Sequence, residues 1–229
     1  MGLDNTPKSW AYSSRREFDL LRVFVAVAEK KIEESSSVVR QLVKTEQTEF
    51  EIEQDDGSVV THTVDVRNIG SINDIDFDLD RLLGKTFPNH ERRSFLITIY
   101  GIFEYELGNF CKRYSEYSGI TEGPTKSEKN EKSKIYINNF WLQKYCSVDL
   151  TEAVGALSEI DTIRYIRNSF VHNYGLLDMS NSATVDYVKK SDLLYLSGNS
   201  VFIKPGFLKY FCDLCFQYFS RLEDQARKL

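Results

Sequence analysis

Apolar residues recur every three or four positions through Phe18, Leu21, Val25, Ala28 and Ile32, the spacing of one buried helix face. Ser13 or Ser14 is placed to cap this helix, with Glu17 where a capping box requires it, so residues 1–13 are expected to form a flexible tail. Val38, Val39, Leu42 and Val43 extend the helix or begin another. The period then changes to two. Phe50 and Ile52 alternate with acids, Asp56-Gly57 offers a turn, and Val60, His62, Val64 and Val66 alternate again, which predicts a β-hairpin. The stretch from Arg67 to Asn89 reads as irregular and acidic.

Helical spacing returns near Glu91, where Leu96, Ile99, Phe103, Leu107, Phe110 and Tyr114 form a single stripe ending near Gly119. Residues 120–134, with Gly123-Pro124 and many Lys and Glu, read as a surface loop. Ile135–Cys146 and Leu150–Tyr174 predict two further helices, the second closed by Gly175 at a C′ position. Leu193–Leu196 and Val201–Ile203 flank Ser197-Gly198-Asn199-Ser200 as a second hairpin, and Pro205 opens a last helix running to about Lys228. The pattern predicts a mainly α protein, a helical bundle with two inserted β-hairpins. A single domain over 14–229, with an insertion at about 46–90, accommodates these elements.

Composition narrows the function classes. With 229 residues, 41% of them hydrophobic, the chain can bury a core without staples. Its net charge of −5 argues against a protein that coats duplex nucleic acid, which needs a basic face to displace counterions, but leaves room for a local phosphate site. The polar opening Met1–Ser14 contains Pro7 and is unlike a signal peptide. No apolar run approaches the roughly 20 residues of a membrane helix, so a cytoplasmic protein with reduced thiols and no membrane partner is expected. Cys212 and Cys215 have C-x-x-C spacing inside an aromatic helical pattern, without two further ligands at knuckle spacing, and read as packing thiols. Asp74, Asp76, Asp78 and Asp80 alternate with apolar residues, but Leu79 and Lys85 stand where a calcium loop needs Gly and Glu. An acidic edge strand or extended loop is the reading there, and no metal or cofactor is assigned.

The candidate chemistry lies in Arg167-Asn168-Ser169-Phe170-Val171-His172. At 100° per residue, Ala156, Ile160, Ile163, Phe170 and Tyr174 share one face and Arg167 falls within it. A buried guanidinium needs a carboxylate, a phosphate or a second subunit. Glu104, next to Phe103 on the preceding apolar helix, is the best internal partner. Asn168 and His172 are spaced i, i+4 on roughly the opposite side, together with Asp161. Histidine is the side chain best suited to proton transfer near neutral pH, although a lone helical histidine is more often structural or solvated.

Arg167, Asn168 and His172, followed by Asn173-Tyr174-Gly175, resemble the signature of the HEPN superfamily, and the aromatic helix carrying Glu104 is similar as well. The resemblance covers roughly residues 91–229 and implies an up-and-down HEPN-like bundle that dimerises and brings two motif copies into one cleft. It further implies a metal-independent endoribonuclease in which the ribose 2′-hydroxyl attacks its own phosphodiester. His172 would act as general acid or base, Arg167 would stabilise the phosphate charge, and Asn168 would orient the histidine or the phosphate. Many family members are toxins of toxin–antitoxin pairs or antiviral abortive-infection components. Others are inactive modules that bind a nucleotide, RNA or a protein, which is the alternative function. Arg-x4-His-x-Tyr is also similar to the motif of HEPN toxins whose nucleotidyltransferase antitoxin adenylylates the tyrosine; the wheel instead places Tyr174 on the core stripe as a packing residue.

Overall fold

The computed structural model describes residues 6–130, 132–226 and 228. It is mainly helical, with two small antiparallel sheets. The elements in order are α1 (Pro7–Gln41), β1 (Lys44–Glu53), β2 (Val59–Ile69), β3 (Ile72–Asn73), α2 (Leu79–Arg81), a π-helical turn (Leu82–Thr86), α3 (Phe87–Ser118), α4 (Lys126–Lys129), α5 (Lys134–Lys144), a 3-10 turn (Thr151–Ala153), α6 (Val154–His172), α7 (Ser182–Lys190), β4 (Leu194–Ser197), β5 (Ser200–Ile203) and α8 (Phe207–Ala226). Among the described residues no helix is long and apolar enough to cross a membrane.

The chain divides into two compact units, Met1–Val27 with Arg92–Leu229, and Ala28–Glu91. The second is larger than the expected insertion at 46–90, because it takes the C-terminal part of α1 and the first turn of α3. The charge divides with them. Ala28–Glu91 holds fifteen Asp and Glu against seven Lys and Arg, a net of −8, so the larger unit carries +3 of the chain's −5.

In the larger unit one core joins α1, α3, α5, α6 and α8. The expected stripe of α3, from Leu96 to Phe110, is buried throughout, as are Phe18, Leu21 and Val25 of α1. Phe18 stacks on Phe219 at 5.5 Å and Phe103 meets Tyr218 edge-on at 5.3 Å, the offset arrangements that aromatic quadrupoles favour. Cys212 and Cys215 are fully buried in α8, and burial pushes both thiols up, as packing residues require. Helix α1 starts earlier than its cap residues suggested. Pro7 opens it, Trp10 and Ala11 are buried, and Ser14 is itself buried and donates to Glu106 at 2.6 Å, so residues 7–13 are helix rather than tail. The expectation for residues 1–5 lies outside the described residues.

In the smaller unit β1 and β2 pair along their length around a turn at Gly57, where φ is +79°. β3 adds only two residues to the far side of β2. The stretch expected to be irregular is partly ordered. Asp74 accepts from Arg67 Nε at 2.8 Å, and Asp78 caps α2 through the Arg81 amide at 2.9 Å.

Candidate functional site

Helix α6 supplies the candidate residues, and its core face is somewhat displaced from the wheel reading. Ile160, Ile163 and Ile166 are fully buried, Ser169 is buried with its hydroxyl on the Ile166 carbonyl at 2.7 Å, and Phe170 packs against the core edge. Helix α6 stops because its last residues turn left-handed. The amides of Asn173 and Gly175 both donate to the Ser169 carbonyl, at 2.9 and 2.8 Å, while Tyr174 and Gly175 have φ of +53° and +87°.

Arg93 fixes this end. Only 8% exposed, it donates to the Tyr174 carbonyl (3.0 Å), the Ser200 hydroxyl (3.1 Å) and the Val201 carbonyl (2.7 Å), and its guanidinium lies 4.7 Å from the centre of the Phe170 ring. Burial pulls its pKa down from the usual arginine value. A Cβ at residue 175 would stand 2.5 Å from that guanidinium, so glycine is required there by both backbone and space. The chain after Gly175 is sewn to the hairpin by Val201 N to Gly175 O at 3.0 Å and Leu177 N to Asn199 O at 2.9 Å. In sequence Arg93 is one half of an ordinary Arg-Arg pair; nothing in the local pattern marks it as the residue that closes α6.

A pocket of about 160 Å³ opens beside this end of the helix. Asn168, His172 and Tyr165 line it from α6, Asp178 from the connecting segment, Asn181 from the cap of α7 and Thr184 from α7 itself. Asn168 and His172 are therefore brought together as their spacing requires, and His172 is exposed. Helix α7 is absent from the periodicity reading. Its nine residues carry only two apolar core positions, Val185 and Val188, and its signals are the cap at Asn181, whose Oδ1 accepts from Thr184 N at 3.2 Å, and Lys189-Lys190 in the last turn.

Arg167 does not line that pocket; it adjoins it through Asn168. Its Nη1 donates to Asn168 Oδ1 at 3.0 Å, and its guanidinium lies 5.3 Å from the centre of the Tyr100 ring. The Nε of Arg167 and the hydroxyl of Tyr100 are buried without a hydrogen-bond partner. Burial and the charge of Glu104 push the Tyr100 phenol well above its ordinary value, so it stays a neutral donor.

Three expectations change here. Glu104 does not pair with Arg167: among the described residues no ion pair joins them, and the influence of Glu104 falls on Tyr100. Asp161 lies outside the His172 pocket and is engaged by Arg164 Nε at 2.8 Å. Tyr174 is not a core residue. The left-handed turn that ends α6 removes it from the helical wheel and leaves it 91% exposed.

Comparison of the chain with family models, curated proteins and solved structures finds no match.

Proposed function

We propose that this protein is a HEPN-like endoribonuclease with an up-and-down bundle, acting in the cytoplasm as a homodimer. The observation that carries the reading is the placement of Asn168 and His172 in one pocket, with Asn168 bonded to an Arg167 that no carboxylate neutralises among the described residues. A half-buried guanidinium without a carboxylate partner is an acceptor site for an anion, and a phosphodiester has the charge and geometry to fill it. The unit that holds the site has a net charge of +3, so the acidity of the whole chain does not oppose RNA there.

The chemistry is transesterification. A base removes the proton of the ribose 2′-hydroxyl, the oxygen attacks the adjacent phosphorus, and the P–O5′ bond breaks as the 5′-oxygen takes a proton from an acid. The products are a 2′,3′-cyclic phosphate and a 5′-hydroxyl. One His172 cannot act on both sides of one phosphorus in a single step, and Arg167 approaches from the flank of its pocket. Two copies of the motif facing each other provide both proton-transfer groups and two guanidinium groups for the developing charge. The exposed Tyr174 is available to a modifying partner, which fits regulation by an antitoxin or another defence-system protein.

Purified protein incubated with total RNA tests the reading, with His172→Ala as control. His172 is exposed, so the variant should unfold within about 0.5 kcal/mol of the parent while cleavage falls at least ~100-fold. RNA bound equally well but left uncut by both proteins would favour the second reading, an inactive HEPN module that binds a nucleotide, RNA or a protein. The position of Arg167 outside the pocket of its own chain is the observation on that side.

A further inference from the structure

The hairpin of the Ala28–Glu91 unit, Lys44 to Ile69, contains seven acidic and two basic residues, a net of −5 that equals the net charge of the entire chain. Its register sets Glu49, Glu51 and Glu53 on one side of the ribbon and Glu46 on the other. Phe50 faces His62 and Ile52 faces Val60 on one side of the ribbon, while Glu49 faces Thr63 and Glu51 faces Thr61 on the other. Phe50, Ile52 and Val64 are exposed, as is every glutamate of β1. β3 extends the sheet only beyond β2, at Asn68 and Ile69, so β1 is an edge strand of ten residues with no strand on its outer side among the described residues. Such an edge presents a row of backbone donors and acceptors to any extended chain that suits its side chains.

We propose that the outer edge of β1 is a docking site for an extended, basic segment of a partner protein. The segment adds as a further strand. Its alternate residues lie over the two faces of the ribbon, lysine or arginine against Glu49 and Glu51, and apolar residues against Phe50 and Ile52. Charge decides among the possible occupants. A second copy pairing antiparallel through β1 would set glutamates against glutamates, and like charges on facing strands destabilise. RNA and anionic lipid meet the same repulsion. A basic strand gains from both faces, and it completes a ribbon that two strands alone support only marginally. The proposal does not depend on the nuclease reading.

The test uses the full chain, isotope-labelled, and a synthetic ten-residue peptide of alternating lysine and valine, matching the length of β1. Backbone amide signals of Lys44–Glu53 should move on titration, and the affinity should weaken with added salt. The double variant Glu49→Lys/Glu51→Lys changes two exposed side chains and should bind at least about tenfold more weakly. Should that variant lose the hairpin, the salt dependence of the parent decides instead. A glutamate–valine peptide that binds equally well would overturn the proposal, as would a response confined to other elements. So would concentration-dependent shifts of the β1 amides without peptide, which would identify a second copy as the occupant.

Discussion

Arg167 Nη1 donates to Asn168 Oδ1 across 3.0 Å, a bond between neighbours in sequence that ties the half-buried guanidinium to the residue lining the pocket. The neutral amide holds the arginine without cancelling its charge. Asn168→Asp would place a carboxylate in the same position and turn the bond into an ion pair that neutralises the guanidinium. Stability should stay within about 1 kcal/mol of the parent, since half-exposed pairs contribute little. Affinity for RNA should fall, because the anion site is then occupied internally. Thermal melts and RNA-binding isotherms on the same preparation check this; an Asp variant that binds RNA as tightly as the parent would remove Arg167 from the site.

Tyr100 separates two roles within one side chain. Its ring lies under Arg167, and its hydroxyl is buried without a partner. An unsatisfied buried polar group costs about 1–3 kcal/mol, so Tyr100→Phe should be neutral or stabilising in urea unfolding. Tyr100→Leu loses the aromatic face as well and should be destabilised by about 1 kcal/mol or more. A Phe variant clearly less stable than the parent would mean that the hydroxyl is bonded.

Much of this site was legible in the sequence. The i, i+4 relation of Asn168 and His172 holds wherever α6 is regular, and the apolar stripes of α1 and α3 run as their spacing predicts. What was not legible depends on where helices end. A wheel carries Tyr174 onto the core face only if α6 continues through it, and the left-handed pair Tyr174-Gly175 ends it first. The pairing of Glu104 with Arg167 assumed that a buried guanidinium seeks a carboxylate, whereas here a ring and an adjacent amide surround it. Arg93 reaches residues 81 to 108 positions away, a separation that local patterning does not register.

The stability of the fold should decline on the alkaline side. Burial raises the thiols of Cys111, Cys146, Cys212 and Cys215 above their ordinary 9.0, with Cys146 and Cys212 pushed up to about 12. It likewise raises the phenols of Tyr100 and Tyr218 above 10.0. In the unfolded chain these groups lose their protons at their ordinary values; in the folded chain they keep them longer. The unfolded state therefore binds fewer protons above about pH 9, and the slope of stability with pH turns negative there. This contribution is fully present below that value and is lost progressively as pH rises towards 12. Melting temperatures should fall steadily from about pH 9 to about pH 11; a constant value over that range would contradict the burial of these groups.

The end of α6 carries the most specific prediction, because Arg93 and Gly175 constrain each other. Arg93→Ala leaves the carbonyls of Tyr174 and Val201 without their guanidinium donor. A hydrogen bond to a charged group contributes about 1.5–3 kcal/mol, and only the Val201 contact is buried, so the loss should be about 3 kcal/mol. Gly175→Ala imposes a left-handed conformation worth about 1–2 kcal/mol and also drives a methyl group to 2.5 Å from the guanidinium. Removing Arg93 removes that collision, so the double variant should be more stable than the two single losses predict when added, with a coupling of about 0.5–3 kcal/mol. Both single variants should also lose RNA cleavage beyond what their stability explains, since the turn they disturb begins one residue after His172. Urea unfolding of the four proteins measures the coupling. Strict additivity would mean that Arg93 and residue 175 do not meet, and the account of how α6 ends and presents His172 would have to be abandoned.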